Sequence, residues 1–264
     1  MDLNFVREKA GRYHSLAQRT RVMSEAWGAR ELYCPACSTD RLQEQPPNTR
    51  AIDYACSGCG ESWQLKAVGK PLGARIVDAG YHAMIDAIRS EKAPGLFVLH
   101  YSPESFRVRN LLVVPRFFFT ESAIEARRPL GPTARRAGWI GCNIRLDSIA
   151  RDGKIPIVRE AVARSRAEVR AAYQSLRALE KRGVESRGWT LDVLRCVREL
   201  GEGTFDLADV YAFQPELSML HPENHNVQAK IRQQLQVLRD LGVLEFLPKR
   251  GTYRVRASMA QRTA

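Results

Sequence analysis

IDYACSGCGESWQLK, residues 52–66, carries two chemistries in one short stretch. Cys56 and Cys59 form a C-x-x-C knuckle, with Asp53 before it and Gln64, Leu65 and Lys66 after it. The flanking residues, 51–55 and 62–66, are short and apolar enough to be strands joined across the knuckle. A strand alternates faces, so Gln64 and Lys66 share one side while Trp63 and Leu65 turn to the core. If the Ile52-Asp53 segment pairs antiparallel with that strand, Asp53 joins Gln64 and Lys66 around one point. Oxygens from Asp53, Gln64 and the Leu65 backbone carbonyl suit a hard Mg²⁺ ion. A lysine beside it can stabilise charge on a phosphorane or orient an attacking water. On spacing alone, D-x10-Q-x-K is equally the pattern of ordinary surface charges on a zinc ribbon.

The knuckle has a counterpart in Cys34-Pro-Ala-Cys37, giving C-x2-C-x18-C-x2-C. That spacing predicts a tetrahedral Zn²⁺ site with Cys34, Cys37, Cys56 and Cys59 as ligands. Four thiolates close the coordination sphere, so this metal holds the fold and performs no chemistry. It also explains the opening stretch, because a stapled turn fixes the separation of Asp53 and Lys66. Cys142 and Cys196 lie apart and are read as buried thiols.

With 264 residues the chain can hold one domain and a smaller second one. Its 41 Lys+Arg against 29 Asp+Glu give a formal charge of +12, which favours a nucleic-acid partner over a neutral small molecule. Residues 1–183 hold 30 basic and 19 acidic side chains, so nearly all of the excess lies there. No apolar run is long enough to span a bilayer and the first residues lack a signal-peptide core, so a cytoplasmic protein without membrane contact is expected.

Residues 3–27 and 72–89 read as helices, 95–101 and 110–115 as strands buried on both faces, and 159–182 as a long basic helix. The stretch 127–145, rich in glycine, proline and arginine, reads as a functional loop or a disordered linker, and 183–188 as a hinge. Helices follow over 190–200, 206–213 and 226–241, then strands over 243–247 and 252–255 around the basic turn 248–251. Three helices and a basic hairpin make a winged helix-turn-helix. The expected organisation is an α/β domain over 1–183, a winged-helix domain over 184–257 and a tail over 258–264.

On the helix 226–241, Val227, Ile231, Leu235, Leu238 and Leu241 share a face and are core. His225, Asn226, Ala229, Arg232, Gln233 and Gln236 then point outward. Asn and Gln suit the N6/N7 edge of adenine, Arg suits guanine, and a small Ala229 lets the helix lie close to a methyl. Lys249 and Arg250 in the wing are candidate phosphate contacts.

CPAC (34–37), IDYACSGC (52–59), QLK (64–66), PTARRAGWIGCNI (132–144), ESRGWT (185–190) and KIRQQLQVLRD followed by LEF (230–246) together resemble the DpnI-like family of methyl-directed, type IIM restriction endonucleases. The likeness runs from the first helix to about Arg254, and the stretch 132–144 is its most specific part. It implies an α/β PD-(D/E)xK nuclease core with a zinc knuckle and an attached winged helix. The implied activity is Mg²⁺-dependent cleavage of double-stranded DNA at G-A-T-C carrying N6-methyladenine, with both domains reading the methylated site. A monomer in solution is expected, and one catalytic centre per chain leaves open whether one molecule or two cut the two strands. In the loop, Arg135 and Arg136 would clamp phosphates or guanine edges, and Trp139 would offer an apolar face to the adenine methyls.

One departure matters. The family pattern has an acid where this chain has Gln64. An amide oxygen still coordinates Mg²⁺, as the Q-x-K of Mrr-type nucleases suggests, but with less affinity. Glu25 on the first helix could approach the site, although it reads better as a solvated helix residue. The rival reading is a catalytically inactive, zinc-containing methyl-DNA sensor or transcription regulator. An RNA-binding zinc ribbon fits less well, because the winged helix presents a groove-reading helix.

Overall fold

The computed structural model describes residues 1–6, 15–46 and 52–257. The apolar runs expected to be buried strands form the middle of the N-terminal domain. In chain order its elements are α1 (Leu16–Glu31), β1 (Gln43–Glu44), β2 (Tyr54–Ala55), β3 (Ser62–Val68), β4 (Arg75–Gly80), α2 (Tyr81–Arg89), β5 (Gly95–Ser102), β6 (Arg107–Val114), β7 (Ile124–Ala126), β8 (Gly141–Arg145), β9 (Ile155–Arg159), β10 (Val162–Ala163) and α3 (Arg166–Leu176). After them come α4 (Val184–Glu199), β11 (Thr204–Asp206), α5 (Leu207–Tyr211), α6 (Gln214–Leu220), α7 (Val227–Asp240), β12 (Leu244–Phe246) and β13 (Thr252–Val255). The chain is thus a mixed α/β core with a four-cysteine cluster, followed by a helical unit of helix-turn-helix type with a small sheet.

The main sheet has the order β1-β2-β3-β5-β6-β9-β10. β3 and β5 run parallel and the other neighbours antiparallel. A parallel pair needs a crossover, here supplied by β4 and α2. Its register sets Trp63 against Gly95, where a Cβ would stand 2.3 Å from the indole. Only glycine lets β5 approach that ring. Trp63 then packs on Phe97 and Tyr173 at centroid distances of 5.1 and 6.1 Å, which places its ring between the sheet and α3.

Five expectations need correction, one being the loop over 127–145, whose last five residues form β8. The first helix covers Leu16–Glu31; Leu3 and Phe5 instead lie buried beside β6, to which Asn4 is bridged at Arg107. The remainder of that expectation, 7–14, falls outside the described residues, as do 47–51 in the loop between the cysteine pairs and the tail 258–264. The 72–89 helix is a strand followed by a helix. In β4, Ile76 and Asp78 are buried while Arg75, Val77 and Ala79 are exposed, a period of two. Only from Tyr81 does the pattern become helical, burying Met84, Ile85 and Ile88. The basic helix 159–182 begins at Arg166, after a tight turn whose Glu160 and Ala161 have φ of 46° and 60°. Ser165 caps that helix by accepting from the backbone N–H of Glu168, whose carboxylate accepts from Ser165 in return.

The hinge expected at 183–188 is the first turn of α4. This helix is fastened to the N-terminal domain at both ends. Arg187 pairs with Glu91 at 2.8 Å, and Arg198 donates two hydrogen bonds to Asp152, at 2.8 and 2.6 Å. Between them, Asp192 accepts from Ser122 and meets His221, which stacks on Trp189 at 3.8 Å. The small sheet has the order β11-β13-β12. α6 and β11 are additions to the expected three helices and two strands.

Candidate functional site

The four cysteines come together as expected. Their Sγ atoms all lie within 4.8 Å of one another, with Cys37–Cys56 at 3.5 Å and Cys34–Cys59 at 3.6 Å. Thiolates about 2.3 Å from a zinc ion form a tetrahedron with edges of about 3.8 Å, so the donors fit a closed four-sulfur site. Burial pushes the Cys34 thiol up and takes Cys59 to about 11. Burial also opposes ionisation of Cys56, but hydrogen bonds from the Thr39 hydroxyl and the backbone of Cys59 and Gly58 bring it down to about 6. A cation would compensate the charge that the buried thiols otherwise resist. The cluster is docked on α3, where Arg170 donates to the carbonyls of Cys34 and Thr39 at 3.2 and 3.0 Å.

β2 and β3 leave the knuckle antiparallel, with Tyr54 opposite Trp63 and Ala55 opposite Ser62. Continuing that register by one step sets Asp53 against Gln64. The Asp53 backbone N–H donates to the Trp63 carbonyl at 2.9 Å, and Asp53 Oδ2 accepts from the backbone N–H of Leu65 at 2.7 Å. The side chain therefore takes the place of the next rung where β2 ends. Within a strand the N–H and C=O of one residue point to the same edge, so the Leu65 carbonyl is directed to the Asp53 side as well. Carboxylate, carbonyl and amide oxygens are the donors a hard cation takes, and this set fits Mg²⁺ in type, with one negative charge. Gln64 itself is 8% exposed.

Lys66, two residues on, is paired with a different acid. Its Nζ lies 2.8 Å from Oδ1 of Asp78, an acid on β4 for which the sequence reading assigned no role. The signal was present: once 75–80 is read as a strand, an aspartate falls on the inward side beside Ile76. A cleft of about 350 Å³ opens beside Lys66, lined also by Thr20, Ser24, Leu65 and Val77. Glu25 lines it too, paired with Arg21 one turn earlier on α1 at 2.7 Å. Asp53 and Gln64 lie outside the lining of this cleft. Cys142 is buried beside Asp78 and Lys66; burial and the Asp78 charge raise its thiol to about 11.

The arginine-rich loop joins β7 to β8 and is closed by its own backbone. The Leu130 N–H donates to the Trp139 carbonyl at 3.0 Å and the Gly138 N–H to the Leu130 carbonyl at 2.9 Å. Gly138 turns the chain with φ of 77°. Arg135 and Arg136 are exposed. Trp139 is half-buried: its indole lies on Gly80 and Gly141, and the Arg136 guanidinium covers the ring at 4.7 Å from the centroid. The ring is therefore shielded by an arginine, where the sequence reading expected an open apolar face.

On α7, Val227, Ile231, Leu235 and Leu238 are buried, and Leu241 just beyond the helix is partly so. His225, Asn226, Ala229, Arg232, Gln233 and Gln236 are exposed. Arg232 donates to the Tyr211 hydroxyl at 2.5 Å, which holds it along the helix pair. Gln234 is a structural contact, accepting from Thr190 on α4 at 2.7 Å. Lys249 and Arg250 project from the turn between β12 and β13, with Lys249 3.8 Å from Asp206. No helix among the described residues is long and apolar enough to cross a membrane.

Comparison with known families adds two matches. Residues 1–182 match the family model described as DpnI, the Dam-replacing family, and residues 185–255 match that of DpnI_C, the Dam-replacing HTH domain. The chain belongs to the DpnI Dam-replacing family. Membership implies DNA as the partner of the C-terminal domain and methyl-directed DNA cleavage as the class of activity.

Proposed function

We propose that this member of the family is a Mg²⁺-dependent endonuclease that cuts double-stranded DNA at G-A-T-C sites carrying N6-methyladenine. The observation that carries the reading is the rung Asp53 makes with β3. Its carboxylate is bonded to the Leu65 N–H, opposite Gln64, with Lys66 two residues further along the same strand. Asp53, the Gln64 amide oxygen and the Leu65 carbonyl would hold Mg²⁺, which supplies a Lewis acid for the scissile phosphate and acidifies bound water. Asp53 fixes the donors against one strand edge. Lys66, cationic at the border of the cleft, neutralises charge gathering on the phosphate or orients the water. The four-cysteine site would take Zn²⁺ and hold the turn between Asp53 and Lys66 without a chemical step.

Arg135, Arg136 and Trp139 from the loop, and Ala229, Arg232 and Gln233 from α7 with His225 and Asn226 just before it, would form two separate reading surfaces. Lys249 and Arg250 would anchor the wing on phosphate. Because Arg136 covers the Trp139 ring, reading a methyl there requires the guanidinium to move, and a DNA phosphate is the natural acceptor for it.

Gln64 supports a second reading, a methyl-DNA sensor without cleavage, since the neutral amide leaves only one negative charge for the cation. Incubating the full chain with N6-methylated plasmid separates the two. Cutting that begins on addition of Mg²⁺ and stops on chelation supports the nuclease, whereas tight binding without cuts at any Mg²⁺ concentration supports the sensor.

A further inference from the structure

We infer that Asp78 is a positioning residue for Lys66, an inference that rests on the nuclease reading above. β4 alternates exposed and buried residues, and Asp78 takes an inward position on the same face as Ile76, where apolar side chains ordinarily sit. Its side chain is 1% exposed. A carboxylate withdrawn from water to that degree is retained only against an opposite charge. Among the described residues its ion-pair partner is Lys66, whose Nζ lies 2.8 Å from Oδ1. The approach lacks the alignment of a hydrogen bond, so Lys66 is held by charge and not by a directional bond.

The backbone is shaped to make this contact. Pairing between β4 and β8 passes from Val77 opposite Asn143 to Gly80 opposite Gly141. Asp78 and Ala79 therefore face Cys142 together, two residues against one. Such a bulge re-aims a side chain and bends the strand. Here it turns Asp78 onto Lys66 and still brings Gly80 beneath the Trp139 indole, where a Cβ would stand 3.4 Å from Nε1. Among the described residues, the cation it pairs with is the lysine at the cleft.

The test uses the full chain and a methylated duplex with a single G-A-T-C site. Asp78→Asn keeps the shape of the side chain and removes its charge. Turnover at saturating DNA should fall by about 10²-fold, the cost of a misplaced reacting group. The Michaelis constant should stay within a few-fold, and the Mg²⁺ concentration giving half the maximal rate should not change. Unchanged turnover overturns the inference. A raised Mg²⁺ requirement also overturns it, since Asp78 would then be a metal ligand. A melting cycle guards against a variant that merely folds poorly. Asp78→Asn and Lys66→Met together should lower the melting temperature less than the sum of the two single changes, and additive shifts would show that the pair is not coupled. If the unaltered chain cuts nothing, the nuclease reading fails, while the cycle still decides whether Asp78 holds Lys66.

Discussion

Asp152 and Asp78 are both buried acids that face one cation, yet their surroundings differ. Arg198 meets Asp152 with two N–H groups, and the two side chains are only 4% and 5% exposed. The pair joins α4 to the N-terminal domain. Lys66 meets Asp78 through a single charge contact, stays 25% exposed and borders a cleft. A bidentate, fully enclosed pair leaves neither charge free to act on anything else and serves as a fastening. A lysine held on one side and open on the other keeps its charge available to a phosphate. The contrast separates a pair that holds the domains from one that prepares a site.

Removing Lys66, or the carboxylate of Asp53 just before β2, should have the largest effect on function. Asp53→Ala and Lys66→Ala are expected to lower cutting by on the order of 10³-fold or more, with DNA binding within a few-fold. Retained cutting by Asp53→Ala in a gel assay would place the chemistry elsewhere and break the comparison. The fastening pair should behave in the opposite way. Asp152→Ala leaves the buried Arg198 without its counter-charge, with only the Arg256 carbonyl still accepting from it, and should cost about 3–5 kcal/mol of unfolding free energy in a denaturant titration. Cutting per folded molecule should stay within a few-fold, and a loss of cutting at unchanged stability would reverse the two roles.

Smaller effects sharpen the picture around the proposed metal. Gln64→Glu restores a charge to the donor set and should lower the Mg²⁺ needed for half-maximal rate by several-fold. A higher requirement would remove Gln64 from the ligands. Trp139→Ala should have the least effect, because one buried methyl is worth about 0.8 kcal/mol, a factor of about four. It is read as the ratio of rates on methylated and unmethylated duplex, and an unchanged ratio would assign methyl reading to α7 alone.

The parts of this arrangement fixed by short spacings could be read from the sequence. The two C-x-x-C pairs gave the four-sulfur cluster, and D-x10-Q-x-K placed Asp53 opposite Gln64, because a stapled turn leaves one register for the strands it joins. The apolar face of α7 was equally legible, since Val227, Ile231, Leu235 and Leu238 repeat at helical period. Asp78 was missed because 72–89 contains apolar residues compatible with both periods, and the change from two to 3.6 at Tyr81 has no proline or cap to mark it. The shielding of Trp139 by Arg136 was out of reach for another reason. A loop closed by its own backbone places side chains through turn geometry, which residue types alone do not set. Likewise, Gly183 and Gly188 suggested a hinge, but ion pairs contributed from distant Glu91 and Asp152 fasten the helix they belong to.

The account as a whole stands on methyl-directed cutting. Its most direct test is the single-turnover rate of the full chain on two duplexes of one sequence, with G-A-T-C methylated on both strands or on neither. Salt must be fixed, since phosphate contacts alone make binding steeply salt-dependent. Two methyls, each worth a factor of about four, predict cutting at least about 16-fold faster on the methylated duplex. Equal rates on the two duplexes would contradict the account.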